Sequence, residues 1–158
     1  MTPVEPSLSP ADAAERRHAL TERLLFDVIG LQWSKVHEEA DRLDAVISDE
    51  VAELVAQKLG DPGTCAHGNP IPGSHNVPDQ SRAVRLADAP VGPVQVVRIE
   101  EDLEDDRAAL ELLESCGAIP GRSAEVLAHT GDGVQVAGSR TDADVPPHVA
   151  QGTWVLPR

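Results

Sequence analysis

Apolar residues recur along the first sixty positions at intervals of three and four. Leu20, Leu24 and Val28 form one row with Leu25 and Ile29 beside it; Val36, Ala40 and Leu43 form a second; Val51, Leu54, Val55 and Leu59 form a third. That period belongs to amphipathic helices, whose buried stripe returns about every 3.6 residues. The ends carry matching signals. Ser9, Pro10 and Asp12 suit a helix start, and Gly30 suits a stop. The second segment runs from about Trp33 to Ala45, and the third opens on Ser48 with Asp49 and Glu50 in its first turn and closes at Gly60 and "DPG". The pattern predicts three short helices in a half-open bundle, with apolar faces broad enough to leave surface over for a dimer. Residues 1–8 are Pro-rich and carry no such period.

From 60 to 81 the chain is too rich in Gly and Pro for regular structure and reads as an extended linker. After it the period falls to two. "AVRLA", "VQVVRI", "SAEVLAH", "GVQVAG" and "TWVLP" are five short strand candidates, and "HTGDGV" is a hairpin turn. A helix, "DDRAALELLESCG", interrupts them and ends at Gly117. The expected fold is α+β: a three-helix domain over 9–60, a linker over 61–81, and a small, partly open five-stranded β-barrel over 82–158.

Composition narrows the function. Among 158 residues, 27 acidic against 13 basic side chains give a net charge of −14. Such a chain repels nucleic acid, whose affinity comes largely from neutralised phosphates, and attracts cations. Cys65 and Cys116 form no CxxC and demand no disulfide, which makes a reducing cytoplasm the expected location. Neither a membrane-spanning run nor a secretory leader is expected. With one Phe, no Tyr and two Trp, the core must be aliphatic, and Trp33 and Trp154 read as core or interface residues.

Spacing supplies the candidate chemistry. His18 and Glu22 stand four apart, as do His37 and Asp41, with Asp44 further along. Residues i and i+4 share a helix face, so each pair is either an ordinary polar position or half of a metal site. His18 lies beside the row that Leu20 begins, and His37 adjoins Val36, both at the edge of an interhelical seam. "EEDLEDD" (100–106) reads as a solvated loop favouring the N-terminus of the next helix, yet it is also a dense source of carboxylates. Cys65 and His67 in "CAHG" could bind a metal, but the preferred reading is a structural loop. No nucleophile or general base faces a pocket, so an enzyme is not expected.

The segments "RRHALTERLLFDVIGL", "KVHEEADRLDAVISDEV" and "CAHGNPIPG" resemble, in order and distance, the metal-binding and dimerisation domain of the diphtheria toxin repressor family of iron- and manganese-dependent regulators. "RLADAPVGPVQVVRI" and "LELLESCGAIPGRSAEVL" are similar to the FeoA-type barrel that follows in many members. The resemblance spans roughly 11–157. It implies a divalent transition metal, Fe(II) or Mn(II) first and Co(II), Ni(II) or Zn(II) as alternatives. It implies ligands His18, Glu22 and His37 from the helices and Glu101 and Glu104 from the barrel, where members often carry a Glu and a Gln. At a second, regulatory site Asp41 and Asp44 stand where Cys- or Glu-type ligands are expected, and Ala45 replaces a His. That site also draws a ligand from an N-terminal winged helix, for which nothing here corresponds. The expectation is a homodimeric metal sensor of a transcription regulator that does not bind DNA alone, with a heterodimer with a full-length repressor as a further expected partner. Two rivals stand beside it: a fragment or mis-started form of a full-length DNA-binding repressor, and an adaptor of a ferrous-iron transporter acting through the barrel.

Overall fold

The structure, a computed structural model, describes residues 7–158; residues 1–6 of the Pro-rich start lie outside them. Three helices come first: α1 (Pro10–Arg23), α2 (Trp33–Leu43) and α3 (Asp49–Lys58). Ser9 Oγ accepts from the Asp12 amide at 3.1 Å and Ser48 Oγ from the Val51 amide at 3.2 Å, satisfying donors that every helix start leaves free. Contrary to expectation, α1 does not continue as an α-helix to Gly30. Leu24–Ile29 form a π-helical segment, which Gly30 ends in the left-handed region with φ of 80°. α2 has no side-chain cap from its own flank. Instead Glu114, far along the chain, accepts from the Ser34 amide at 3.1 Å, the Ser34 hydroxyl at 3.0 Å and Gln32 Nε2 at 2.8 Å.

Six strands, not five, form one antiparallel sheet: β1 (Val84–Arg85), β2 (Gly92–Ile99), β3 (Ser123–Thr130), β4 (Gly133–Ala137), β5 (Asp142–Val145) and β6 (Thr153–Pro157), in the order β1-β6-β2-β3-β4-β5. The unexpected strand is β5, where acidic Asp142 and Asp144 alternate with Ala143 and Val145 and conceal a short period of two. The first candidate is cut to two residues by a 3₁₀ turn at Leu86–Asp88. Three helices accompany the sheet: α4 (Glu101–Glu104), inside the acidic run read as a loop, α5 (Arg107–Cys116) and α6 (Pro147–Gly152).

Packing joins the two halves. Leu25, Trp33, Val36 and Ala40 from the helices enter the same buried cluster as Val94, Val96, Ile99, Leu110, Leu113, Val126, Val136 and Val155. A smaller cluster joins Ala19 and Leu20 of α1 to Ala52 and Ala56 of α3, with Cys65 and Ile71. Residues 60–81 are not an exposed tether at their middle: Cys65, Ala66, His67 and Ile71 are buried. Arg23 donates to the carbonyls of Thr64 and Cys65 at 2.7 and 3.0 Å, and Trp33 Nε1 donates to the Ala66 carbonyl at 2.8 Å. Trp154 is the half-buried tryptophan, flanked by the guanidinium groups of Arg98 and Arg85 at 4.4 and 4.9 Å. Both cysteines are free and buried. Among the described residues, no helix is long and apolar enough to cross a membrane.

Trp33→Phe tests the helix–loop junction. It removes the donor to the buried Ala66 carbonyl and part of a large side chain that is almost fully enclosed. An unpaired buried carbonyl costs about 1–3 kcal/mol, and the lost volume adds to that. Urea denaturation should show a lower midpoint; an unchanged midpoint would mean the junction carries no stability.

Candidate metal centre

The centre lies where α1, α2, α4 and the 65–69 loop meet. On α1, Leu20 turns into the core, and the same buried stripe carries Glu22, whose side chain is 1% exposed, with His18 one turn earlier. On α2, Val36 and Ala40 fill the shared core, which holds the adjacent His37 and Asp41 at its margin. On α4, Leu103 and Glu104 point inward while Glu101 and Asp102 point to solvent. Gly68 sets the loop. Its φ is +84°, and a Cβ there would stand 2.0 Å from the Val97 carbonyl oxygen, so only glycine lets His67 and Asn69 approach the end of β2 this closely.

Three donor atoms converge, from His18, Glu22 and His37, and Glu104 joins them at His37. Nε2 of His18 is 2.9 Å from Glu22 Oε1 and 3.3 Å from His37 Nδ1. That same His37 nitrogen is 3.3 Å from Glu22 Oε1 and 3.1 Å from Glu104 Oε2. For metal–ligand bonds of about 2.1 Å, neighbouring ligands stand about 3.0 Å apart around an octahedral ion and about 3.4 Å apart around a tetrahedral one. The donors are therefore already at ligand spacing, and the residues fit a first-row divalent ion.

The outer nitrogens are held too. His18 Nδ1 pairs with Asp44 Oδ2 at 2.7 Å and stands 3.5 Å from Asp41. His37 Nε2 is 3.5 Å from Asp41 and 3.3 Å from Asp105. Carboxylates in these positions fix ring orientation and raise the basicity of the inner nitrogens. His67, read from sequence as part of a structural loop, is fully buried and places Nδ1 3.0 Å from Glu22 Oε2. Its Nε2 is buried without a hydrogen-bond partner. Asn69 Nδ2 donates to Glu104 Oε1 and to the Ile99 carbonyl, both at 2.9 Å.

Charge follows from this geometry. Burial works against a charged His18, but its bonds to Glu22 and Asp44 outweigh burial and raise its pKa to about 9. Glu104 first, then Glu22, raise His37 to about 11. Burial would push the Glu22 carboxyl up, yet His18, His37 and His67 together hold it well below the usual carboxylate range. Without an ion, His18 and His37 are therefore protonated and Glu22 is ionised.

The structure thus brings together His18, Glu22, His37 and Glu104, with Asp41 and Asp44 behind the rings. It does not bring in Glu101. That residue is exposed on the outward side of α4, and its charge, after burial, helps raise the carboxyl of Glu15 on α1. The sequence marked His67, in "CAHG", as a metal candidate but ranked it below a structural loop; Asp105 was missed, since nothing but acidity marked it.

Residues 10–73 match the family profile described as "Iron dependent repressor, metal binding and dimerisation domain". The iron-dependent repressor IdeR of Mycobacterium tuberculosis is 38% identical over 136 residues, which cover 80% of this chain and 59% of that protein. The diphtheria toxin repressor of Corynebacterium jeikeium is 33% identical over 166 residues, covering 92% of this chain and 69% of that one. A solved manganese-dependent transcriptional repressor in complex with manganese superposes with a TM-score of 0.76 at 32% identity, over 92% of this chain and 70% of that one. The chain spans about 59% of the length of the IdeR relatives.

Proposed function

Since the chain belongs to the family of iron-dependent repressors that includes the diphtheria toxin repressor, we propose that it is the metal-sensing and dimerisation part of a metal-dependent transcriptional regulator. The observation that carries this reading is the convergence of His18 Nε2, Glu22 Oε1 and His37 Nδ1 at ligand spacing, with Glu104 Oε2 3.1 Å from His37. Two imidazoles with two carboxylates suit Fe(II) or Mn(II), with Co(II), Ni(II) and Zn(II) also matched by the donor types. The bound ion supplies the positive charge that the two protonated rings supply in its absence. His18 and His37 bind through their inner nitrogens. Asp44 holds the far side of His18, and Asp41 with Asp105 the far side of His37, so we assign Asp41 and Asp44 to orienting these rings rather than to a separate degenerate site. Glu22 comes from α1 and Glu104 from α4, so their shared ion would tie the first helix to the sheet half. Binding to that closed arrangement adds its free energy to closure. Isothermal calorimetry with Mn(II), Fe(II), Co(II) and Zn(II) tests the reading: saturable binding is expected, and none with any of the four would refute it.

A homodimer is proposed on α3. Its inner face packs Ala52 and Ala56 on α1, while Val51 and Leu54 stay 44% and 51% exposed and Val46, just before the helix, 75%. An exposed apolar row on a domain whose family is named for dimerisation is the expected contact. Replacing Val51 and Leu54 together with Glu should give a monomer in sedimentation while leaving metal binding intact; an unchanged dimer would place the interface elsewhere.

The charge of −14 opposes direct phosphate contact by these residues. We therefore assign DNA contact to other residues of the regulator, either in a longer product of the same gene or on a repressor paired through this face. Mixing the purified chain with a full-length family repressor and assaying for mixed dimers distinguishes the second source.

A further inference from the structure

Glu22 and Glu104 each face two ways. Oε1 of Glu22 lies 2.9 Å from His18 and 3.3 Å from His37, whereas its Oε2 lies 3.0 Å from Nδ1 of His67. Oε2 of Glu104 is 3.1 Å from His37, whereas its Oε1 is 3.9 Å from the same His67 nitrogen. Two carboxylates thus turn one oxygen each to the His18–His37 side and the other to the His67 side.

Cys65 stands on that second side. One ligand atom each from Glu22, Cys65 and His67 lie within 4.8 Å of one another, and all three residues are buried. Without an ion, burial and then the charges of Glu22 and Glu104 push the Cys65 thiol up, so its sulfur would lose its proton only to a bound cation. His67 is wholly enclosed and turns Nδ1 toward Glu22 Oε2 at 3.0 Å, on the same side as the sulfur.

Building on the reading above, that His18, His37 and the two glutamates hold an ion, we infer that the centre is dinuclear. A second divalent ion would be held by Nδ1 of His67, Sγ of Cys65 and Oε2 of Glu22, with Glu104 Oε1 3.9 Å from His67 as the further carboxylate on that side. The thiol proton leaves to solvent as the sulfur binds. The two positions differ in chemistry. The outer one offers only nitrogen and oxygen and accepts Mn(II); the inner one carries a thiolate and favours Co(II), Zn(II) or Fe(II) over Mn(II).

Cobalt(II) titration of the chain under reducing, anaerobic conditions is the test, read by stoichiometry and by near-ultraviolet absorption. Two equivalents are expected, together with a thiolate-to-cobalt charge-transfer band. Cys65→Ser should abolish the band, and both Cys65→Ser and His67→Gln should bind one equivalent, with circular dichroism confirming that each is folded. Should the serine variant misfold, the band and stoichiometry of the unaltered chain decide alone. One equivalent without the band, or two without it, overturns the second ion while leaving the first in place. No cobalt uptake at all overturns both this inference and the sensor reading beneath it.

Discussion

His37→Ala should abolish tight metal binding and also weaken the ion-free fold. His37 Nδ1 stands 3.3 Å from Glu22 and 3.1 Å from Glu104, and its removal takes a cationic partner from two buried carboxylates. Loss of an orienting partner behind a ligand typically costs ~10–100-fold in affinity, and loss of the ligand itself should exceed that. Breaking a buried charge pair from one side costs about 3 kcal/mol or more, because the remaining charge stays enclosed. Calorimetry with Mn(II) should show no saturable binding, and thermal unfolding should occur at a lower temperature even without metal. Binding within tenfold of the unaltered protein would remove His37 from the ligand set.

The second large effect is on pH. With His18 near 9 and His37 near 11, both rings carry protons at neutral pH, and an ion must displace both. Each displaced proton contributes about tenfold in apparent affinity per pH unit. Mn(II) affinity should therefore climb by nearly a hundredfold per unit between about pH 6 and 8, a slope that calorimetry at a series of pH values would reveal. A slope near zero would mean that the rings are neutral before the ion arrives. Stability without the ion runs the other way. The raised histidine pKa values contribute stability that is full below the ordinary value of about 6.5 and is lost as pH rises through about 9 and about 11. The depressed carboxyl of Glu22 contributes stability that is present above its ordinary range and is lost on acidification. The ion-free protein is thus most stable in mildly acidic solution, where it binds metal least well.

Much of this was legible in the residues themselves. The three-and-four spacing of Leu20, Val36 and their neighbours announces helices because a helix buries one stripe, and Ser9 and Ser48 mark two starts by chemistry that acts within three residues. His18, Glu22 and His37 were readable because a turn of helix brings i and i+4 together. What escaped depends on distant partners. The four-residue α4 has no period of its own, so nothing local distinguishes Glu104, which turns inward, from Glu101, which does not. His67 enters the centre only because Gly68 lets the loop press against β2. β5 is acidic on its outer side, and its pairing with β4 is visible only once the sheet exists. The π-helical turn after Arg23 left no trace in the spacing of Leu24, Leu25 and Val28.

The division of the interior into two apolar clusters has a mechanical consequence. α2 is welded to the sheet through Trp33, Val36, Ala40 and the Glu114 cap, whereas Leu20 of α1 belongs with α3 in the lesser cluster. His18 and Glu22 ride on one of these bodies, and His37 and Glu104 on the other. An ion gripped by all four would act as a rivet across the seam between them, and the π-helical turn at Leu24–Ile29 is the hinge on α1's side of it.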